Sequence, residues 1–242
     1  MTEIEGIESN TDLQARPRST AWLRVMALVY DPFVWLGEIA SMRGRRSALL
    51  GGARGRVVEI GAGTGLNIAH YPDVISELVL LEPEPAMRRR LATRLQRHER
   101  IARIVDAPAE RLPLADASVD TVVSTLVLCT VDDPERALRE IARVLRPGGQ
   151  LLFIEHVRAK SRFLAACQDI SVQPWRRFAG GCICNRPTVD LMRACGFAVV
   201  ADDDVWRGMP AIVHPLTVGR ATLPSTASHP VVDVQGRSRS SG

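Results

Sequence analysis

The sequence predicts an α/β fold built on a doubly wound parallel sheet, and three observations carry that expectation. From Arg56 onward, short apolar runs alternate with amphipathic helical stretches, the order that a parallel sheet with right-handed crossovers demands. The first run, Val57-Val58-Glu59-Ile60, feeds straight into a glycine-rich turn, Gly61-Ala62-Gly63-Thr64-Gly65. The second, Glu77-Leu78-Val79-Leu80-Leu81, ends on a carboxylate at Glu82. A chain of 242 residues with 46% hydrophobic content is ample for one domain with a two-sided core.

Residues 1–18 are polar, lack an apolar period and read as disordered. Ala21 to Met42 carries Trp22, Leu23, Val25, Met26, Val29, Phe33, Leu36 and Ile39 at helical spacings, and Pro32 predicts two helical segments joined near Tyr30-Asp31-Pro32. Arg24, Asp31 and Glu38 interrupt it, so no charge-free span of about 20 residues exists and a membrane crossing is not expected. With Arg43, Arg45 and Arg46 just beyond, a peripheral amphipathic attachment competes with a plain lid or core helix.

Pro85 to Glu99 follows as a basic helix whose Arg88, Arg89, Arg90, Arg94 and Arg97 form a solvated face. Pro134 opens the first turn of another helix, running to Arg146, which buries Leu138, Ile141 and Leu145 and stops at Pro147-Gly148-Gly149. A strand from Gln150 to His156 comes next, then a less regular insertion over 161–180. Pro187 to Cys195 reads as a helix ended by Gly196, Phe197–Val205 and Ala211–Val218 as two strands, and 221–242 as a flexible tail.

The glycine turn is the chemical signal. Without a Cβ, glycine enters positive φ cheaply and lets a ligand approach the main chain. The dinucleotide pattern G-x-G-x-x-G wants Gly or Ala where Leu66 stands, which disfavours a nicotinamide oxidoreductase, and Leu66-Asn67 lacks the Lys-Ser/Thr of a phosphate-cradling P-loop. Glu82, at the end of the second strand, sits where a carboxylate takes two hydroxyls of a ribose.

These residues resemble the class I S-adenosylmethionine-dependent methyltransferases, whose first motif is an acidic residue, an apolar residue and G-x-G-x-G. Asp106 to Asp120 resembles the family's segment from the third strand into the fourth, and Arg143-Val144-Leu145-Arg146-Pro147-Gly148-Gly149 its turn before the fifth. Together these cover roughly residues 55–157. Asn67, Tyr71, Ser124-Thr125-Leu126-Val127-Leu128-Cys129, Glu155-His156-Val157 and Gly181-Cys182 look like the methyltransferase-like-seven group of thiol methyltransferases, with bacterial phospholipid and quinone methyltransferases as relatives.

The resemblance implies a Rossmann-like, seven-stranded sheet with a C-terminal antiparallel hairpin and a single methyltransferase domain over 19–220. Its parts would be a helical lid at 19–50, a cofactor-binding core at 55–157 and an acceptor-side insertion with edge hairpin at 158–220. It also implies S-adenosylmethionine as donor: Gly61, Ala62, Gly63 and Gly65 at its amino-acid end, Glu59 ordering that loop, Glu82 and Pro83 at the ribose, Asp106 and Ala107 at the adenine, and Ser124 and Leu126 beside it. Tyr30, Leu128, Glu155 and Cys182 are the candidate acceptor-side residues. His156, with an ordinary pKa of about 6.5, is the candidate base for a thiol or an activated hydroxyl. The acceptor expected is a small molecule or lipid-like; a silent, partner-binding relative is the other alternative to an oxidoreductase.

Composition narrows the partners. With 31 basic and 27 acidic residues and only 5% aromatics, nucleic acid is disfavoured. Five cysteines and no apparent signal sequence favour a cytoplasmic chain, if need be peripheral to a membrane. Cys182-x-Cys184 has no second Cys/His pair at finger-like spacing, so no metal is expected.

Overall fold

The computed structural model describes residues 21–224. The expected disordered N-terminus and most of the expected tail lie outside them. Among the described residues the strands form one seven-stranded sheet in the order β3-β2-β1-β4-β5-β7-β6, from β1 (Arg56–Ile60), β2 (Glu77–Leu81), β3 (Arg103–Val105), β4 (Val119–Thr125), β5 (Leu145–His156), β6 (Ala198–Val205) and β7 (Pro215–Thr222). β3 to β5 pair in parallel on either side of β1, while β7 runs antiparallel to both β5 and β6. The order reverses between β1 and β4, so the crevice beyond their C-terminal ends is where such a sheet takes ligands.

Six helices flank it: α1 (Ala21–Gly37), α2 (Arg43–Leu50), α3 (Pro85–Arg97), α4 (Pro134–Val144), α5 (Arg162–Phe178) and α6 (Thr188–Ala194). Helix starts follow local chemistry. Glu84 accepts from Ala86 N at 3.3 Å and Asp133 from Arg136 N at 2.9 Å, each just before a proline whose missing N–H is harmless in a first turn.

Alternation along β4 and β5 splits the core. Val122, Leu151 and Phe153 pack with Leu138 and Ile141 of α4 and Met192 of α6. Val123 and Leu152 face the other way, onto Leu50, Leu80 and Leu91. A third cluster, containing Val34, Met42, Ile154, Trp206, Met209 and Leu216, lies beneath α1.

Four boundaries differ from the sequence reading. β5 begins at Leu145 rather than Gln150, so Leu145 pairs with Val119 instead of ending the helix, and Pro147-Gly148-Gly149 falls inside the strand. The 161–180 insertion is mostly the regular helix α5, with Pro174 inside it. The last strand begins at Pro215, after a 3-10 turn at Ala211–Val213, and runs to Thr222. Pro32 does not split α1: the carbonyl it leaves without an amide partner, Leu28 O, accepts from Arg90 Nη1 at 3.4 Å, and the irregularity falls in a π-turn at Glu38–Met42. The run Arg24–Leu50 is thus one helix long and apolar enough to cross a bilayer by length and composition, with 28% of its most apolar stretch buried.

Phe153 is fully buried at the centre of the sheet, so Phe153→Ala is expected to cost about 3–5 kcal/mol in urea unfolding. Val200→Ala, on exposed β6, should change stability by less than about 0.5 kcal/mol, and equal losses would contradict this core assignment.

Candidate active site

The glycine turn leaves β1 with Gly61, Gly63 and Gly65 at φ of 55°, 57° and 86°. Ala62 N donates to Leu81 O at 2.9 Å, binding the turn to the end of β2. A Cβ on Gly61 would meet Val127 at 2.7 Å, and one on Gly65 would meet Ile68 at 2.7 Å. A Cβ on Gly63 would have only Gly61 O within range, at 3.9 Å, so space opens above that residue.

Glu82 is buried beside this turn. Its Oε2 accepts from Gly63 N and its Oε1 from Glu84 N, both at 2.8 Å. Burial raises its pKa, against the pull of those two amides. Each carboxylate oxygen keeps acceptor capacity for one further donor, which suits a vicinal diol. The residues therefore fit a nucleoside with a cationic or polar arm lying along the turn.

Arg88 organises the neighbouring positions. It donates to Glu82 O and Pro83 O, each at 2.7 Å, and pairs with Asp106 at 2.9 Å. Glu82, Pro83 and Asp106 are thereby brought together at the ends of β2 and β3. Ala107 is buried in the core beside them. The α3 arginines are consequently not one solvated face: Arg90 and Arg94 reach Asp31 of α1 at 3.2 and 2.6 Å.

Glu59 lies under the turn rather than in the crevice. Asn67 Nδ2 donates to its Oε1 at 2.8 Å and Tyr71 Oη to its Oε2 at 2.7 Å. Asn67 Oδ1 in turn accepts from buried Arg46 at 2.7 Å, and Arg46 pairs with Glu38 at 2.8 Å. Burial pushes the Glu59 carboxyl up to about 7, against both hydrogen bonds. Nothing in linear spacing marks Arg46; only the fold carries it to Asn67.

Helix α1 is tied directly to the turn, since Thr64 Oγ1 donates to Asp31 Oδ1 at 2.5 Å. Tyr30 beside it is held as a neutral phenol, its pKa raised to about 12 by burial. A cleft of about 460 Å³ between α1 and α3 includes Asp31, Thr64, Ala86 and Arg94. Gly63, Glu82 and Asp106 do not line it.

On the acceptor side several expected contacts turn inward. Glu155 accepts from Ser124 Oγ at 2.6 Å, from Val127 N and Leu128 N at 3.0 Å and from Cys129 N at 3.1 Å. Glu155 and Ser124 thus hold the loop after β4, and Leu128 is a core residue, so none of the three lines the crevice. Leu126, at φ 59°, is the strained hinge of that loop and the one non-glycine residue at which it pays for its shape. Cys182 is buried with its Sγ 3.9 Å from Cys129 Sγ.

His156 ends β5 and stacks on Trp206, ring centroids 5.5 Å apart. Burial lowers its pKa from 6.5 to about 4. A ring with so low a pKa is a weak base toward a thiol of ordinary pKa about 8.5.

A family model described as a methyltransferase domain matches residues 58–153. The malonyl-[acyl-carrier protein] O-methyltransferase of Methylococcus capsulatus is 31% identical over 194 residues, covering 73% of this chain and 67% of that protein. The chain belongs to the class I S-adenosylmethionine-dependent methyltransferases. This membership favours methyl transfer over the nicotinamide alternative. The human thiol S-methyltransferase TMT1B is 40% identical over 145 residues, 57% of this chain and 59% of its own length, so the chain spans under two thirds of that relative. A SAM-dependent methyltransferase from Thermotoga maritima, described as a possible histamine N-methyltransferase, superposes with a TM-score of 0.61 at 24% identity, over 83% of this chain and 97% of its own, and bears out the fold.

The pKa of Glu59 carries a testable pH signature. Its folded value of about 7 lies above the ordinary 4.5, so the stability it contributes is complete below pH 4.5 and is lost as pH rises through about 7. His156 works the other way: its contribution is complete above 6.5 and lost as pH falls toward about 4. The difference between Glu59→Gln and the parent isolates the carboxylate. The variant should gain on the parent by up to about 3 kcal/mol between pH 4.5 and 7 in urea unfolding, whereas a pH-independent difference would contradict the assignment.

Proposed function

We propose that this chain transfers the methyl group of S-adenosylmethionine to a small thiol. The observation that carries the donor half is the Gly63–Glu82 hydrogen bond, which sets a ribose acceptor beside a turn with open space above its middle glycine. Gly61, Ala62, Gly63 and Gly65 hold the amino-acid end, Glu82 and Pro83 the ribose, Asp106 and Ala107 the adenine edge. Glu59, through Asn67 and Tyr71, keeps the turn in shape. When bound, the donor supplies an electrophilic methyl, and the protein's part is alignment and exclusion of water.

The thiol half is supported by the relation to a thiol S-methyltransferase and by the lining beneath the lid. Tyr30, Phe33, Val34, Trp206 and Met209 surround that side with apolar and aromatic surface, which suits a soft, weakly hydrated sulfur better than an ammonium group. Cys182 belongs to the same cluster. Trp22, Leu28, Trp35, Leu36 and Ile39 are exposed on α1 and its continuation, supporting peripheral contact with a membrane from the cytoplasmic side, from which an apolar thiol would be drawn.

Calorimetry with S-adenosylmethionine and its demethylated product should detect binding by the full chain. Glu82→Ala should weaken it about 10- to 100-fold, in line with about 1.5–3 kcal/mol for a charged hydrogen-bonding group; undiminished affinity would put the ribose elsewhere. With labelled donor and a panel of alkyl thiols, quinols, phenols and aminophospholipids, label should appear on the thiols. Label on phospholipid or quinol alone would overturn the choice of acceptor while leaving the donor site standing.

A further inference from the structure

We infer that Cys129, His156 and Cys182 form a binding site for one thiophilic divalent cation of the zinc class. They arrive from three separate segments: the loop after β4, the last residue of β5, and the loop between α5 and α6. One ligand-capable atom from each lies within 4.8 Å of the other two, and all three residues are buried. The two sulfurs are 3.9 Å apart. Tetrahedral coordination with metal–sulfur bonds of about 2.3 Å calls for an edge of roughly 3.8 Å, so the thiols already stand at ligand spacing.

A second observation points the same way. His156 Nδ1 is buried and, among the described residues, has no hydrogen-bond partner. One ring nitrogen of His156 stands with the two sulfurs, and sulfur and nitrogen donors together select zinc-like ions over magnesium or calcium.

Charge settles which form is stable. Val34, Met42, Ile154, Trp206 and Leu216 share the cluster with both cysteines, and an isolated thiolate there is costly. A divalent ion replaces two thiol protons, and the resulting cation, two thiolates and neutral imidazole sum to zero charge. Binding therefore releases two protons and leaves no net charge in the apolar pocket.

Three protein ligands leave a fourth position, as in catalytic rather than structural zinc sites. If the acceptor is a thiol, coordination there would replace its S–H bond with a sulfur–metal bond, the proton passing to solvent and the added negative charge being offset by the sulfonium donor. That extension rests on the proposed thiol methylation; the metal site does not.

The test is titration of the full, reduced, metal-stripped chain with Co²⁺, after confirming that all five cysteines react as free thiols. One equivalent should produce thiolate-to-cobalt charge-transfer absorption and release about two protons in weak buffer. The absorption should disappear in Cys129→Ser and Cys182→Ser and persist in Cys195→Ser. Should either variant fail to fold, X-ray absorption at the zinc edge of the zinc-loaded parent must find two sulfurs and a nitrogen. No sulfur in the metal's shell, or an unchanged spectrum in both folded variants, overturns the site. Donor calorimetry on the metal-stripped chain reads the methyltransferase assignment separately, so the two can fail independently.

Discussion

Three carboxylates buried at the C-terminal ends of parallel strands hold the loops from which the crevice is made. Glu59 holds the glycine turn from below through Asn67 and Tyr71, Glu82 holds it from the side through Gly63 N, and Glu155 gathers three consecutive amides of the loop after β4. Each has its pKa raised by burial, so none is there as a cheap surface charge. What offsets the desolvation is a set of donors that a mobile loop would otherwise leave to water. The sheet makes this possible, because the pairing of Ile60 with Leu81 and of Thr125 with Ile154 fixes the strand ends from which all three side chains depart. Loop and floor are mutually dependent: without the carboxylates the amides are orphaned, and without the amides the carboxylates are buried unpaired.

The lid obeys the same logic with opposite charges. Asp31 gathers Thr64, Arg90 and Arg94, while Arg46 joins Glu38 to Asn67 across the π-turn. One extra residue in that turn shifts the phase of the helix between Pro32 and Arg43. Arg90 serves two ends at once, pairing with Asp31 and accepting the task of satisfying Leu28 O, which Pro32 leaves open. Moving these helices away would break contacts with the glycine turn itself, at Thr64 and Asn67.

How much of this could be read beforehand divides by range. The parallel order, the glycine turn, Glu82 and the amphipathic α4 follow from patterns within about twenty residues, and those are what the sequence makes legible. Asn67 and Tyr71 were also visible as motif residues. Arg88 was not: a run of arginines looks like a solvated face until the fold sets Asp106 opposite one of them. The inward turn of Ser124, Leu128 and Glu155 escaped for a related reason, since position at a strand end does not say which side of the pleat faces the crevice. α5 looked irregular because Pro174 and mixed polarity hide a helix that packs on the turn at Ala211–Val213.

The sulfur and imidazole cluster is the extreme case of long-range information. Cys129, His156 and Cys182 are spaced too widely for any local metal pattern, and the pair that did invite attention, Cys182-x-Cys184, sends only one member into the cluster. The other buried side-chain nitrogens without hydrogen-bond partners among the described residues, on Arg56, Trp175 and Trp206, are guanidinium and indole groups that can only donate and cannot ligate a cation. An unpaired Nδ1 on His156 costs about 1–3 kcal/mol unless a donor reaches its lone pair or a cation binds it. Its stacking on Trp206 fixes the ring, and burial keeps it neutral at physiological pH. A histidine whose ring is fixed by stacking, with a buried nitrogen free of partners and two sulfurs close by, is placed to hold an ion.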